Sequence, residues 1–160
     1  MVPRLELFAF SIVLLLLLSQ PVVAYADWQY TTWGMTPDEV VAASKGLASR
    51  TEDAEKGIKL AVGSHTANGI DYSVSFIFSK GDPRLSSVYL ISKDPGVCPT
   101  ISNQLTDVYG KPESKSASGL ATITKWRSGQ ANALIQLVQI GSSSHCEISY
   151  RPIPKPGSGL

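Results

Sequence analysis

Two cysteines and two histidines are the residues of this chain best suited to nucleophilic or acid–base work: Cys98, Cys146, His65 and His145. A nucleophile needs a base beside it and a third group to orient that base. His145 adjoins Cys146 in sequence, but neighbours along a strand point to opposite faces. A core-facing Cys146 therefore leaves His145 in water. A Cys/His enzyme would also need both thiols free. A metal site asks for three or four convergent ligands. His65, His145, Asp71 and the thiols show no H-x3-H or C-x2-C spacing, so no metal is expected. Glu52, Asp53 and Glu55 read as a solvated acidic loop. No glycine-rich loop joins a strand to a helix, so nothing here would cradle a phosphate. Ser158 sits between glycines in the tail, with no strand before it and no helix after it, unlike a nucleophile elbow. The residues thus lead to no catalytic group and no cofactor.

Aromatic side chains offer a different chemistry. Trp126 alternates with Thr122 and Thr124, while Lys125 and Arg127 face the other way. If the threonine face is the open face of a sheet, Trp126 is an exposed anchor among hydroxyls and amides. That composition suits a protein interface, and Trp126, Thr122 and Thr124 are the candidate binding surface. The alternative packs Trp126 against the N-terminal segment or a helix. Trp28 and Trp33 would cover an edge of the core or extend the same surface.

The elements that must position these residues follow from periodicity and punctuation. Thr36 is an N-cap with Pro37 at the first helical position and Glu39 at the third, a capping box. Met35 and Val40 can form the hydrophobic staple. Val40, Ala43 and Leu47 share a face, and Gly46 should end the helix. A polar loop at 51–57 follows. Strands are expected at 58–62, 70–78 and 85–92. In 70–78, Ile70, Tyr72, Val74, Phe76 and Phe78 alternate with Asp71, Ser73 and Ser75, the pattern of a half-buried strand. The connector 65–69 carries an Asn68-Gly69 turn signal. After Asp94-Pro95-Gly96 a second helix is expected at 99–109, with Ile101, Leu105 and Val108 as its apolar stripe. Gly110 and Pro112 stop it. Strands at 120–127, 133–140 and 146–151 complete the domain, and the Pro/Gly-rich tail 152–160 should be mobile.

The order is α-β-β-β twice, which suggests a tandem repeat. The expected fold is α+β and two-layered: about six antiparallel strands with two helices on one face. In it Cys98 and Cys146 both point into the core and bond, stapling the second helix to the last strand.

The first residues concern compartment. An apolar run from Leu7 to Leu18 is broken only by Ser11. Its length, about twelve residues, falls short of the roughly 20 that span a bilayer and suits a secretory h-region. Ala24-Tyr25-Ala26 is a small-x-small cleavage site. Residues 1–26 are therefore read as a signal peptide, 27–151 as one domain and 152–160 as a tail. Cleavage removes one base, Arg4, and one acid, Glu6, so the net charge stays +1. That balance lacks the electrostatic footprint of a nucleic-acid partner. No membrane span remains after cleavage. No cysteine stands at the cut, so no lipid anchor is expected. An even cysteine count in an exported chain again favours a disulfide.

The start Trp33-Gly34-Met35-Thr36-Pro37-Asp38-Glu39-Val40 and the stop Tyr109-Gly110-Lys111-Pro112 resemble small exported bacterial proteins of unknown function. The helix-then-meander layout is similar to outer-membrane assembly lipoproteins of the SmpA/OmlA type, although the lipoprotein cysteine is missing. The tandem layout resembles that of β-lactamase-inhibitor proteins. What the resemblance implies is a non-catalytic role, binding an unidentified protein partner through a sheet face, in the periplasm or outside the cell. The competing expectations are a small hydrolase or thiol enzyme using Cys and His, and a structural envelope protein.

Overall fold

The computed structural model describes residues 27–51, 59–141 and 145–154. The leader expected at 1–26, all but the first residue of the loop expected at 51–57, the first residue of the strand expected at 58–62 and the tail from 155 onward lie outside them.

Eight strands build one antiparallel sheet in the order β1-β2-β3-β4-β8-β7-β6-β5. They are β1 (Ala48–Arg50), β2 (Lys59–Ala67), β3 (Ile70–Phe78), β4 (Leu85–Ser92), β5 (Ser114–Ser118), β6 (Ala121–Ser128), β7 (Ala133–Ile140) and β8 (His145–Pro152). Among the described residues two α-helices accompany them, α1 (Pro37–Ala43) and α2 (Cys98–Tyr109), the second entered through a 3-10 turn at Pro95–Val97. Each half is thus one helix followed by four strands, and the halves join where β4 pairs with β8.

This corrects the expected six-stranded sheet: among the described residues the sheet has eight strands, and it dominates the fold. The two additional strands, β1 and β5, are the two edges. β1 is three residues long, too short for alternation to register. β5 is Ser-Lys-Ser-Ala-Ser and exposed throughout, so it is held by its backbone ladder to β6 and not by burial. β2 also runs further than expected. It continues through His65 to Ala67 and turns at Asn68-Gly69 into β3. Both turn residues have positive φ, 49° and 78°, as a two-residue hairpin of this kind requires. At the other end, β8 carries its ladder to Pro152, opposite Ala133, one residue into the expected tail.

The core lies on one face of the sheet. One ladder row crosses six strands as Ala61, Phe76, Val88, Tyr150, Ile135 and Trp126, all buried. Val40 of α1 and Ile101 and Leu105 of α2 pack into the same buried cluster. Between the helices the segment 27–35 supplies Trp28, also buried. That segment is tied down at several points. Trp33 N–H donates to the Asp27 carboxylate (2.6 Å), and its indole N–H donates to the Asn132 carbonyl (3.0 Å). Leu85 N–H at the start of β4 donates to the Met35 carbonyl (2.8 Å).

The capping box of α1 forms. The Thr36 hydroxyl accepts from Glu39 N–H (3.3 Å), and the Glu39 carboxylate accepts from Thr36 N–H (2.7 Å). The helix is shorter than expected because it ends at Ala43. Ser44 caps it, and Lys45 and Gly46 then adopt positive φ. Cys98 opens α2, Cys146 lies on β8, and the two form a disulfide with a Cα–Cα distance of 5.6 Å, within the usual span of such bonds.

Candidate functional site: an aromatic crevice beside the second helix

The cover over the core is made of separate pieces, and a crevice of about 210 Å3 opens between two of them. One wall is the Trp28–Gln29 turn. The other is α2, which presents Gln104, Leu105, Val108 and Tyr109. The floor is sheet: His65 and Tyr72 from β2 and β3, and Leu90, Ile148 and Tyr150 from the central pair. Ala67 and Asn68 of the hairpin form part of the rim.

Register explains the floor. His65 is the ladder partner of Tyr72, and their rings stack at 6.3 Å and 26°. Trp28 meets His65 edge-on, with centroids 5.7 Å apart, and also packs at 6.3 Å from Tyr150. Tyr109, on the last turn of α2, lies 6.4 Å from Tyr150 in a T-shaped arrangement. Offset and edge-to-face contacts of this kind add to the area the rings bury.

Electrostatically the crevice disfavours charge. Burial lowers the His65 pKa from its ordinary 6.5, so the neutral imidazole prevails near neutrality. Burial raises the Tyr72 phenol. Tyr150 is pushed well above its ordinary value by burial, with Tyr109 adding a like-charge effect and a hydroxyl–hydroxyl hydrogen bond. Among the described residues no Asp, Glu, Lys or Arg lines the space. The volume is below the roughly 300–1,000 Å3 of ordinary small-molecule pockets. It suits a single side chain or one small ring, met by aromatic faces and a few uncharged polar groups.

The residues singled out from the sequence do not assemble into this site. Trp126 is 1% exposed and Thr124 5%, while Thr122 is half-buried. All three belong to the covered face, because Trp126 pairs with Ile135 and Thr124 with Leu137 in the core rows. The Trp126 indole donates to the Gly110 carbonyl at 3.1 Å. Trp126 is therefore packed, not an exposed anchor. Cys98 and Cys146 are bonded and buried beneath the start of α2. His145 pairs with Ile140 on the opposite face from Cys146, so it lies across the sheet from His65. Among the described residues, no three His, Cys, Asp or Glu side chains are placed to hold a metal ion.

His65, one of the two histidines suited to acid–base work, reaches the crevice, where no carboxylate or thiol among the described residues meets it. Its neighbours in the inward row are Ala61, Gly63 and Ala67, so no apolar alternation marked it. Among the described residues no helix is long and apolar enough to cross a membrane. No family model matches the chain, and neither a curated protein nor a solved structure matches it.

Proposed function

We propose that this chain is an exported, non-catalytic binding module that receives one uncharged side chain of a partner protein, aromatic or aliphatic, in the crevice beside α2. The observation that supports this reading is that none of the described residues lining the crevice is charged, in a space walled by Trp28, His65, Tyr72, Tyr109 and Tyr150. A buried charge without a partner is costly, so such a lining selects against acidic and basic groups. Exposed Val108 at the mouth offers apolar contact before entry. The disulfide suits an oxidising compartment, and the apolar leader at 1–26 supplies a route to one. A non-catalytic role fits the chemistry in place: the thiols are tied up, and the two histidines lie on opposite faces.

The test is a titration of the disulfide-bonded protein with N-acetyl-tyrosinamide and N-acetyl-leucinamide, followed by amide NMR shifts. N-acetyl-aspartate amide serves as the charged control. Saturable shifts at His65, Gln104 and Tyr109 with the uncharged probes, lost in Gln104→Trp, are expected. Shifts that do not saturate, or that survive Gln104→Trp, overturn the reading.

A further inference from the structure

The face of the sheet away from the helices carries a second, chemically opposite depression. It crosses β7, with Gln136, Leu134 and Ser149 in its floor and Lys125, Arg127 and Arg151 around it. The ladder dictates this arrangement. Lys125 pairs with Gln136, which pairs with Ser149; Arg127 pairs with Leu134, which pairs with Arg151. Neighbouring strands lie about 4.8 Å apart, so cations on β6 and β8 flank β7 from stems roughly 10 Å apart.

Among the described residues the only carboxylate in the lining is Glu113, which accepts from Arg127 at 2.9 Å. Both side chains of that pair are about half exposed, and such a pair holds its partners weakly. It also leaves other Arg127 donors free, since a guanidinium carries five. Arg151 reaches only a neutral acceptor, the Tyr89 hydroxyl, at 3.4 Å. Among the described residues neither Arg151 nor Lys125 has a carboxylate partner.

The local excess is not a by-product of a basic chain, whose net charge is only +1. Nor is it repeated in the first half. There β4, β3 and β2 present Tyr89, Ser75 and Val62 in one row of this face, and Ile91, Ser73 and Ser64 in the next. The cations therefore belong to one half of a doubled architecture, on a face that neither described helix covers.

We infer that this trough is a binding site for a compact oxyanion carrying two or more negative charges, of the phosphate or small polycarboxylate class. Guanidinium forks from two sides suit such groups because they donate two parallel bonds to a planar or tetrahedral oxyanion. The Gln136 amide supplies a neutral donor in the floor. Nothing in this site depends on the aromatic crevice across the sheet.

The test uses the full disulfide-bonded protein and amide NMR. Sodium phosphate and sodium citrate are titrated separately, with sodium chloride at matched ionic strength as the control. Saturable shifts centred on Lys125, Gln136 and Ser149 are expected with at least one oxyanion and not with chloride. Phosphate alone points to a phosphorylated or inorganic ligand, and citrate alone to a polycarboxylate. Lys125→Gln with Arg151→Gln should weaken binding by at least about tenfold, since hydrogen bonds to charged groups are the strong ones. Lys93→Gln, outside the trough, should leave it unchanged. Shifts that match chloride, scatter over the surface, or persist in the double variant overturn the site. Because both exchanged side chains are exposed, an unchanged spectrum elsewhere will show that the fold is intact.

Discussion

The Trp126 indole N–H donates to the Gly110 carbonyl at 3.1 Å, tying strand β6 to the C-terminus of α2. α2 touches the sheet mainly through Ile101, Leu105 and the disulfide at its start. The Trp126 bond is the matching restraint at its end. Trp126→Phe keeps most of the buried ring and loses the bond. Because Gly110 is exposed, its carbonyl can turn to water, so the cost should be about 1 kcal/mol. Trp126→Ala empties a core position and should cost about 3–5 kcal/mol. Urea unfolding of the two variants checks both, and equal losses would show that the hydrogen bond, not the ring, dominates.

Reduction of the disulfide releases the opposite end of the same helix. Cys98 and Cys146 are 48 residues apart in sequence. Closing a loop of that size stabilises by about 4 kcal/mol in the chain-entropy account. Cys98→Ala with Cys146→Ala should lower the unfolding midpoint accordingly. Hydrogen exchange should then accelerate first in α2 and at the crevice wall formed by Gln104 and Tyr109. Uniform acceleration across both halves would show that the bond acts on the unfolded chain alone.

His65 makes stability depend on pH in a definite direction. Burial sets its folded-state pKa below 6.5, its ordinary value. Between the folded and unfolded values the unfolded chain holds the extra proton. Stability is therefore complete above about 6.5 and falls as pH drops toward the folded value. His65→Gln should flatten that part of the profile. Glu39, held low by its hydrogen bonds to Thr36, acts in a separate and more acidic window. Its contribution is present above the ordinary carboxylate value and is lost as pH falls through the folded one. Glu39→Gln should remove that second slope and leave the first, whereas Thr36→Ala, which keeps the backbone N–H donor to Glu39, should only reduce it. An NMR titration of His65 giving a midpoint at or above 6.5 would contradict the burial argument.

How far the fold could be read from the chain depended on whether burial or backbone made each element. β3 was legible because Ile70, Tyr72, Val74, Phe76 and Phe78 are buried in strict alternation. The α1 start was legible because Thr36 and Glu39 satisfy each other locally. β5 was not, because Ser114 to Ser118 bury nothing and are ordered by hydrogen bonds to β6. The site followed the same division. Trp126 alternates with threonines whether that face is covered or open, and periodicity cannot distinguish the two. His65 lies in a row of small residues because Trp28 and α2 approach there from distant parts of the sequence.

The same small-residue row yields the sharpest steric prediction. At Gly63 a Cβ would stand 2.5 Å from the Leu47 carbonyl oxygen and 3.3 Å from the Ala48 Cα. Gly63 is the ladder partner of Ala48, and Ser64 N–H donates to that same Leu47 carbonyl at 3.3 Å. The obstacle is backbone, so no side-chain rotation relieves it. Gly63→Ala must push β1 away from β2, at a cost of about 1–3 kcal/mol typical of overpacking. β1 is three residues long and sits at the edge, so it should detach while β2 to β8 remain paired. Faster amide exchange confined to residues 48–50 and to their partners on β2 is the expected outcome. Loss of protection that reached Val40 in α1 or Tyr150 in the crevice floor would show instead that the strain is not absorbed at the edge.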